Sequence, residues 1–70
     1  MPVTMIENGK TVTIVRISGS EEVRQHLFEI GFVVGEPVTI VNNINGNLIL
    51  KVKDARVALD RKLAQKVMVG

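Results

Sequence analysis

The chain has no cysteine, tryptophan or tyrosine, and only one histidine, two phenylalanines and two prolines. Without cysteine there is neither a disulfide framework nor a thiolate metal centre to support a small core, which suits a reducing compartment. With a single histidine as well, a nucleophile has few means of being paired with an oriented base, so no enzyme is expected. The scarcity of aromatics excludes two functions common on small β domains. Recognition of proline-rich peptides needs an aromatic-lined groove, and binding of single-stranded nucleic acid needs stacking platforms. No apolar run approaches the ~20 residues of a bilayer span, and no basic stretch leads into an apolar core at the N-terminus, so a soluble intracellular chain is expected. Charge of one sign is lacking too: nine basic residues against seven acidic ones give +2. The pI near 9.4 exaggerates that balance, because no tyrosine or cysteine titrates on the alkaline side, and it is not a nucleic-acid footprint.

What is present fits one small domain. Apolar residues are 46% and charged residues 23% of the 70 residues, a composition that folds, although a chain of this length buries only about 60% of its unfolded surface. Val3 to Ile6 is a short apolar opening and Asn8-Gly9 a turn signal. Thr11 to Ser18 is crowded with β-branched residues and reads as a strand. Its apolar side chains fall on both faces, which predicts two-sided burial or a bulge, while Arg16 points to water. Ser20 is placed to cap a helix, with Glu21 and Glu22 complementing its dipole. Val23, Leu27 and Ile30 then fall on one helical stripe, leaving Arg24, Gln25 and Glu29 to face away. Val38 to Val41 reads as a second strand, and Asn42 to Asn47 as a loop holding the hairpin signal Asn45-Gly46. Leu48 to Lys53 alternates as a returning strand. Asp54-Ala55 is read as a tight turn into Arg56 to Leu59, Asp60 as the cap of one helical turn over Arg61 to Gln65, and Lys66 to Val69 as the last strand. Five or six short strands, a helix of about three turns and a shorter helical turn predict a mainly β domain, with a small closed barrel the economical way to remove exposed edges.

The chain turns on the stretch from Leu27 to Val38, where the helical pattern stops and an extended run begins. Gly31 stands where a helix end favours positive φ, and Gly35 starts the turn before Glu36-Pro37. The spacing Gly31-x-x-x-Gly35 is no phosphate loop, since no Lys-Ser or Lys-Thr follows and the glycines come after a helix. Leu27, Ile30, Gly31 and Gly35 therefore form a structural junction. Phe28 lies one step off the core stripe and Val33 and Val34 occupy the elbow, so an apolar patch made from these three is the candidate partner contact.

Two ionic groups are weighed beside it. His26 and Glu29 share a helical face and offer two ligands to a divalent metal, with Glu21 and Glu22 as further oxygen donors; two ligands alone make a weak site. Lys51, Lys53, Arg56, Arg61 and Lys62 are the only candidates for a basic face. A solvated strand edge accounts for them, and a nucleic-acid-binding barrel is the competing reading, with affinity that falls steeply with salt.

The pattern Leu27-x-x-Ile30-Gly31-Phe32-x-x-Gly35-x-x-Val38 resembles the FeoA family of ferrous-iron transport accessory proteins. Val57-Ala58-Leu59 with Ala64-x-x-Val67-x-Val69 is similar to that family's closing segment, and Gly9-x-x-Val12 to its opening. The resemblance covers essentially the whole chain. It implies an SH3-like barrel, a cytoplasmic location and docking on the cytosolic part of the membrane transporter FeoB, which carries a GTP-binding domain. It implies no catalytic residues. No cofactor is expected to be required, with Fe(II) or another divalent metal at most a weak ligand; no nucleic acid is expected, and membrane contact is expected only through the transporter. Many family members carry a longer proline-containing loop after the second strand, where this chain has only Asn42 to Asn47. The fold unit is also similar to the C-terminal domain of diphtheria-toxin-repressor-type regulators, which implies a metal-sensing alternative. Those regulators place ligands just before the helix, where Ser20, Glu21 and Glu22 lie here. Strand edges after Gly46 are open to pairing of two copies.

Overall fold

The computed structural model describes residues 1–70 and contains, in chain order, a 3₁₀ turn (Val3–Met5), β1 (Thr11–Ile17), α1 (Glu21–Ile30), β2 (Pro37–Ile44), β3 (Asn47–Val52), β4 (Ala55–Leu59), α2 (Arg61–Ala64) and β5 (Val67–Val69). The five strands form one antiparallel sheet in the order β4-β3-β2-β1-β5. Strand β1 divides its length between two partners. Thr11 to Thr13 pair with β2, whereas Ile14, Arg16 and Ile17 pair with β5. Between them Val15 is the extra residue of a bulge, which bends and twists a strand locally. The bulge is why apolar residues occur on both faces of β1: Ile14 is buried and Val15 is exposed.

Inward-facing residues of each strand meet in one core of 13 buried side chains. Leu48, Leu50 and Val52 alternate into it from β3, and Val38 and Ile40 from β2. Leu27 enters from α1 and Phe32 from the elbow, while Val23 and Ile30 pack half-buried beside them. No polar or charged side chain is buried.

Several boundaries depart from the sequence reading. The short apolar opening forms a 3₁₀ turn over Val3–Met5. β2 runs on through Asn42 and Asn43 to Ile44, because a bulge at Val41 lets those residues keep pairing with β3. The loop shrinks to the two residues Asn45 and Gly46, whose φ values of 51° and 85° are those of a hairpin turn. The next turn is Lys53-Asp54, one residue earlier than Asp54-Ala55, with Lys53 at φ 56°. Nothing in its side chain signalled that positive φ.

The predicted closure is also incomplete. β4 and β5 end the sheet without pairing to each other. Between them stand α2 and the 3₁₀ turn, which touch each other and β4 and β5 respectively, with Ala64 and Val3 fully buried. The two helical turns fill the gap that the missing β4–β5 pairing leaves. The outer edge of β5 is covered by the chain start: the Met1 carbonyl accepts from the Val69 amide at 2.7 Å, and Pro2 bridges to Met68. No helix is long and apolar enough to cross a membrane.

Candidate functional site

The helix-to-strand elbow is assembled from backbone bonds. At its start the Ser20 hydroxyl accepts from the Val23 amide at 3.2 Å, capping α1. At its end Gly31 takes φ 123°, and two bonds close over it. The Gly31 amide donates to the Phe28 carbonyl at 3.0 Å and the Phe32 amide to the Leu27 carbonyl at 2.9 Å. This is the Schellman pattern, which places the residue after the glycine against the residue five before it. Here those residues are Phe32 and Leu27, both buried. Phe28, the neighbour of Leu27, is thereby carried outward and is 57% exposed.

The chain then turns again. Val33 to Glu36 closes with the Glu36 amide donating to the Val33 carbonyl at 3.0 Å, and Gly35 supplies the positive φ of 95° at its third position. Two bonds pin this turn to β1: the Gly35 amide donates to the Ile14 carbonyl at 2.8 Å, and the Ile14 amide to the Glu36 carbonyl at 3.0 Å. Val34 sits at the corner, 60% exposed, with Val33 half-buried beneath it.

Between α1 and this turn lies an open groove of about 400 Å³. Ile17, Phe28, Phe32, Val33 and Val34 form its apolar lining, and Glu21, Arg24 and Gln25 its helical rim. The structure thus brings Phe28, Val33 and Val34 to one place. Ile17, Phe32 and Arg24 also line the groove and were not singled out from the sequence. The signal for Ile17 was hidden by the bulge, which resets which β1 side chains face α1; Phe32 was legible as the residue following Gly31.

The ionic candidates are arranged differently. Glu21, Glu22 and Gln25 border a shallow depression at the start of α1, while His26 and Glu29 are exposed farther along the helix. No three histidine, aspartate or glutamate side chains gather closely enough to hold a metal ion. The basic residues divide into two groups. Lys51, Lys53 and Arg56 belong to the end of the β3-β4 hairpin where the turn lies. Arg61 lies at the opposite end, lining a second cleft with Asn43, Gly46 and Leu48.

A sequence model of the FeoA domain matches residues 1–70. The chain belongs to the FeoA domain family. It is similar to a protein of Methanocaldococcus jannaschii named Fe(2+) transport protein A, at 29% identity over 68 residues, 97% of this chain and 83% of that protein. An FeoA iron uptake regulatory protein of known crystal structure superposes with a TM-score of 0.90 at 29% identity, covering 99% of this chain and 92% of that one. The zinc-complexed FeoA of Stenotrophomonas maltophilia, described as a prokaryotic SH3 domain protein, gives 0.87 at 24% identity over 100% of this chain and 89% of that one. The FeoA domain here accordingly has the SH3-like architecture. The same fold also recurs within a larger protein: 99% of this chain matches 40% of a manganese-dependent transcriptional repressor, with a TM-score of 0.90 at 21% identity.

Proposed function

We propose that this FeoA-domain protein is a non-enzymatic accessory module of ferrous-iron uptake, which docks through the groove between α1 and the Val33–Glu36 turn on the cytosolic part of the transporter FeoB. Family membership supports the transport setting. The observation that carries the docking surface is the exposure of Phe28 and Val34 at 57% and 60% on either side of buried Phe32. Such exposed apolar side chains around a concave surface are contacts in search of a partner. Glu21 and Arg24 at the rim supply charges of both signs, which orient an incoming surface more than they strengthen its binding. The module's effect falls on transport or on the transporter's nucleotide cycle. Fe(II) is the transporter's cargo in this reading, and the module requires no cofactor.

Calorimetric titration with the cytosolic domain of FeoB tests it. Phe28→Ala and Val34→Ala are each expected to weaken binding about fivefold or more, as truncation of central apolar contacts does. Undiminished binding by both variants moves the interface off the groove.

A further inference from the structure

The sheet edge left most open is β4: α2 packs against part of the strand, but Ala55, Arg56 and Ala58 are exposed. In the β3-β4 hairpin the two-residue turn Lys53-Asp54 is flanked by the pair Val52 and Ala55, followed by Lys51 with Arg56, Leu50 with Val57, Ile49 with Ala58 and Leu48 with Leu59. A two-residue hairpin makes its flanking pair a hydrogen-bonded one, and bonded pairs then alternate. The amides and carbonyls of Val57 and Leu59 therefore face β3, and those of Arg56 and Ala58 face outward. No other backbone bond in the molecule reaches Arg56 or Ala58. Of the usual protections of an edge, β4 has its shortness and the charge of Arg56. β4 has no bulge and no proline, and its two outer-face side chains are Arg56 and Ala58.

Charge indicates the occupant. On the outer face, Thr11, Thr39, Lys51 and Arg56 lie in one row across four strands. Lys51 has Thr39 on one side and Arg56 on the other, so two cations stand directly opposite each other, an arrangement that destabilises a sheet. The adjoining turn adds Lys53 and Asp54, one charge of each sign, so the excess of positive charge rests on Lys51 and Arg56. A further strand outside β4 would set one side chain opposite Arg56, and an acid there relieves the repulsion. The next residue would face inward beside half-buried Val57 and calls for an apolar side chain. A second copy of the chain answers poorly: symmetric pairing about Val57 sets Arg56 opposite Ala58 and doubles the cations on one face.

We propose that the outer edge of β4 is a strand-addition site for an extended segment of another protein in which acidic and apolar residues alternate, bound by backbone bonds to Arg56 and Ala58 and by the Arg56 guanidinium. The site lies apart from the groove and does not depend on the identity of the partner proposed for it.

Fluorescence anisotropy with a labelled peptide of alternating glutamate and valine tests the site. Saturable binding is expected, weakening as salt is added, about fivefold weaker in Arg56→Glu, and absent for the lysine-valine counterpart. Ala58→Pro is expected to abolish binding while circular dichroism stays native, because it removes an amide that serves no bond inside the sheet. If that variant misfolds, amide shifts of the unsubstituted protein decide instead, with Arg56 and Ala58 expected to move first. The proposal is overturned by absence of saturable binding, by shifts confined to other strands, by equal binding to folded Ala58→Pro, or by sedimentation showing a dimer that Ala58→Pro dissolves.

Discussion

Gly31 holds φ 123° and ψ 4° at the end of α1, in the left-handed half of backbone space. Space is not what forbids a side chain there. A Cβ would meet Val52 Cγ1 at 3.8 Å and Lys53 Cδ at 3.9 Å, ordinary contacts. The cost of substitution is conformational, so Gly31→Ala should lower the unfolding free energy by about 1–2 kcal/mol in urea titration. Gly31→Val, β-branched at the same φ, should lower it further and disrupt the fold of so small a domain. An unchanged urea midpoint for Gly31→Val would show that the elbow relaxes to another backbone path. The glycine was legible because the helical pattern stops at Ile30. Lys53, with φ 56°, was not: a lysine carries no preference for that region, and the pairing of Val52 with Ala55 imposes it.

At the scale of elements, side-chain caps decide where both helices begin. Ser20 accepts from Val23 at 3.2 Å and Asp60 from Leu63 at 2.8 Å. Ser20→Ala and Asp60→Ala should each cost about 1 kcal/mol in thermal or urea unfolding followed by circular dichroism. For Asp60 the loss reaches beyond α2 itself, since that single turn carries buried Ala64 into the gap between β4 and β5. Both caps were readable as a serine and an aspartate just ahead of helical patterns. The strand ends were less so. Asn42 and Asn43 have the composition of a loop, yet they pair with Ile49 and Leu48 because β2 resumes its register beyond Val41. Cross-strand hydrogen bonding overrode local preference there.

For the whole molecule, the contrast that matters is between Phe32 and Phe28. Phe32 is 1% exposed and Phe28 57%, so Phe32→Ala should remove about 3–5 kcal/mol, enough to unfold a thinly stabilised chain of this size. Phe28→Ala should stay within about 0.5 kcal/mol of the parent; a large loss of stability in that variant would show Phe28 to be a core residue rather than a contact. Periodicity placed the helix stripe and the alternation of β3, and residue type placed the Asn45-Gly46 hairpin and both caps, because each depends on neighbours a few residues apart. The motif around Gly31 and Gly35, together with the closing segment from Val57 to Val69, was likewise enough to point to the FeoA family. Only the tertiary structure decided that β1 divides itself between two strands at Val15, that the barrel stays open between β4 and β5, that Ile17 joins Phe28 and Val34 around one groove, and that Lys51 faces Arg56 on the most open edge. Those outcomes depend on register and strand order, which bring together residues distant in the chain, and no local preference encodes them.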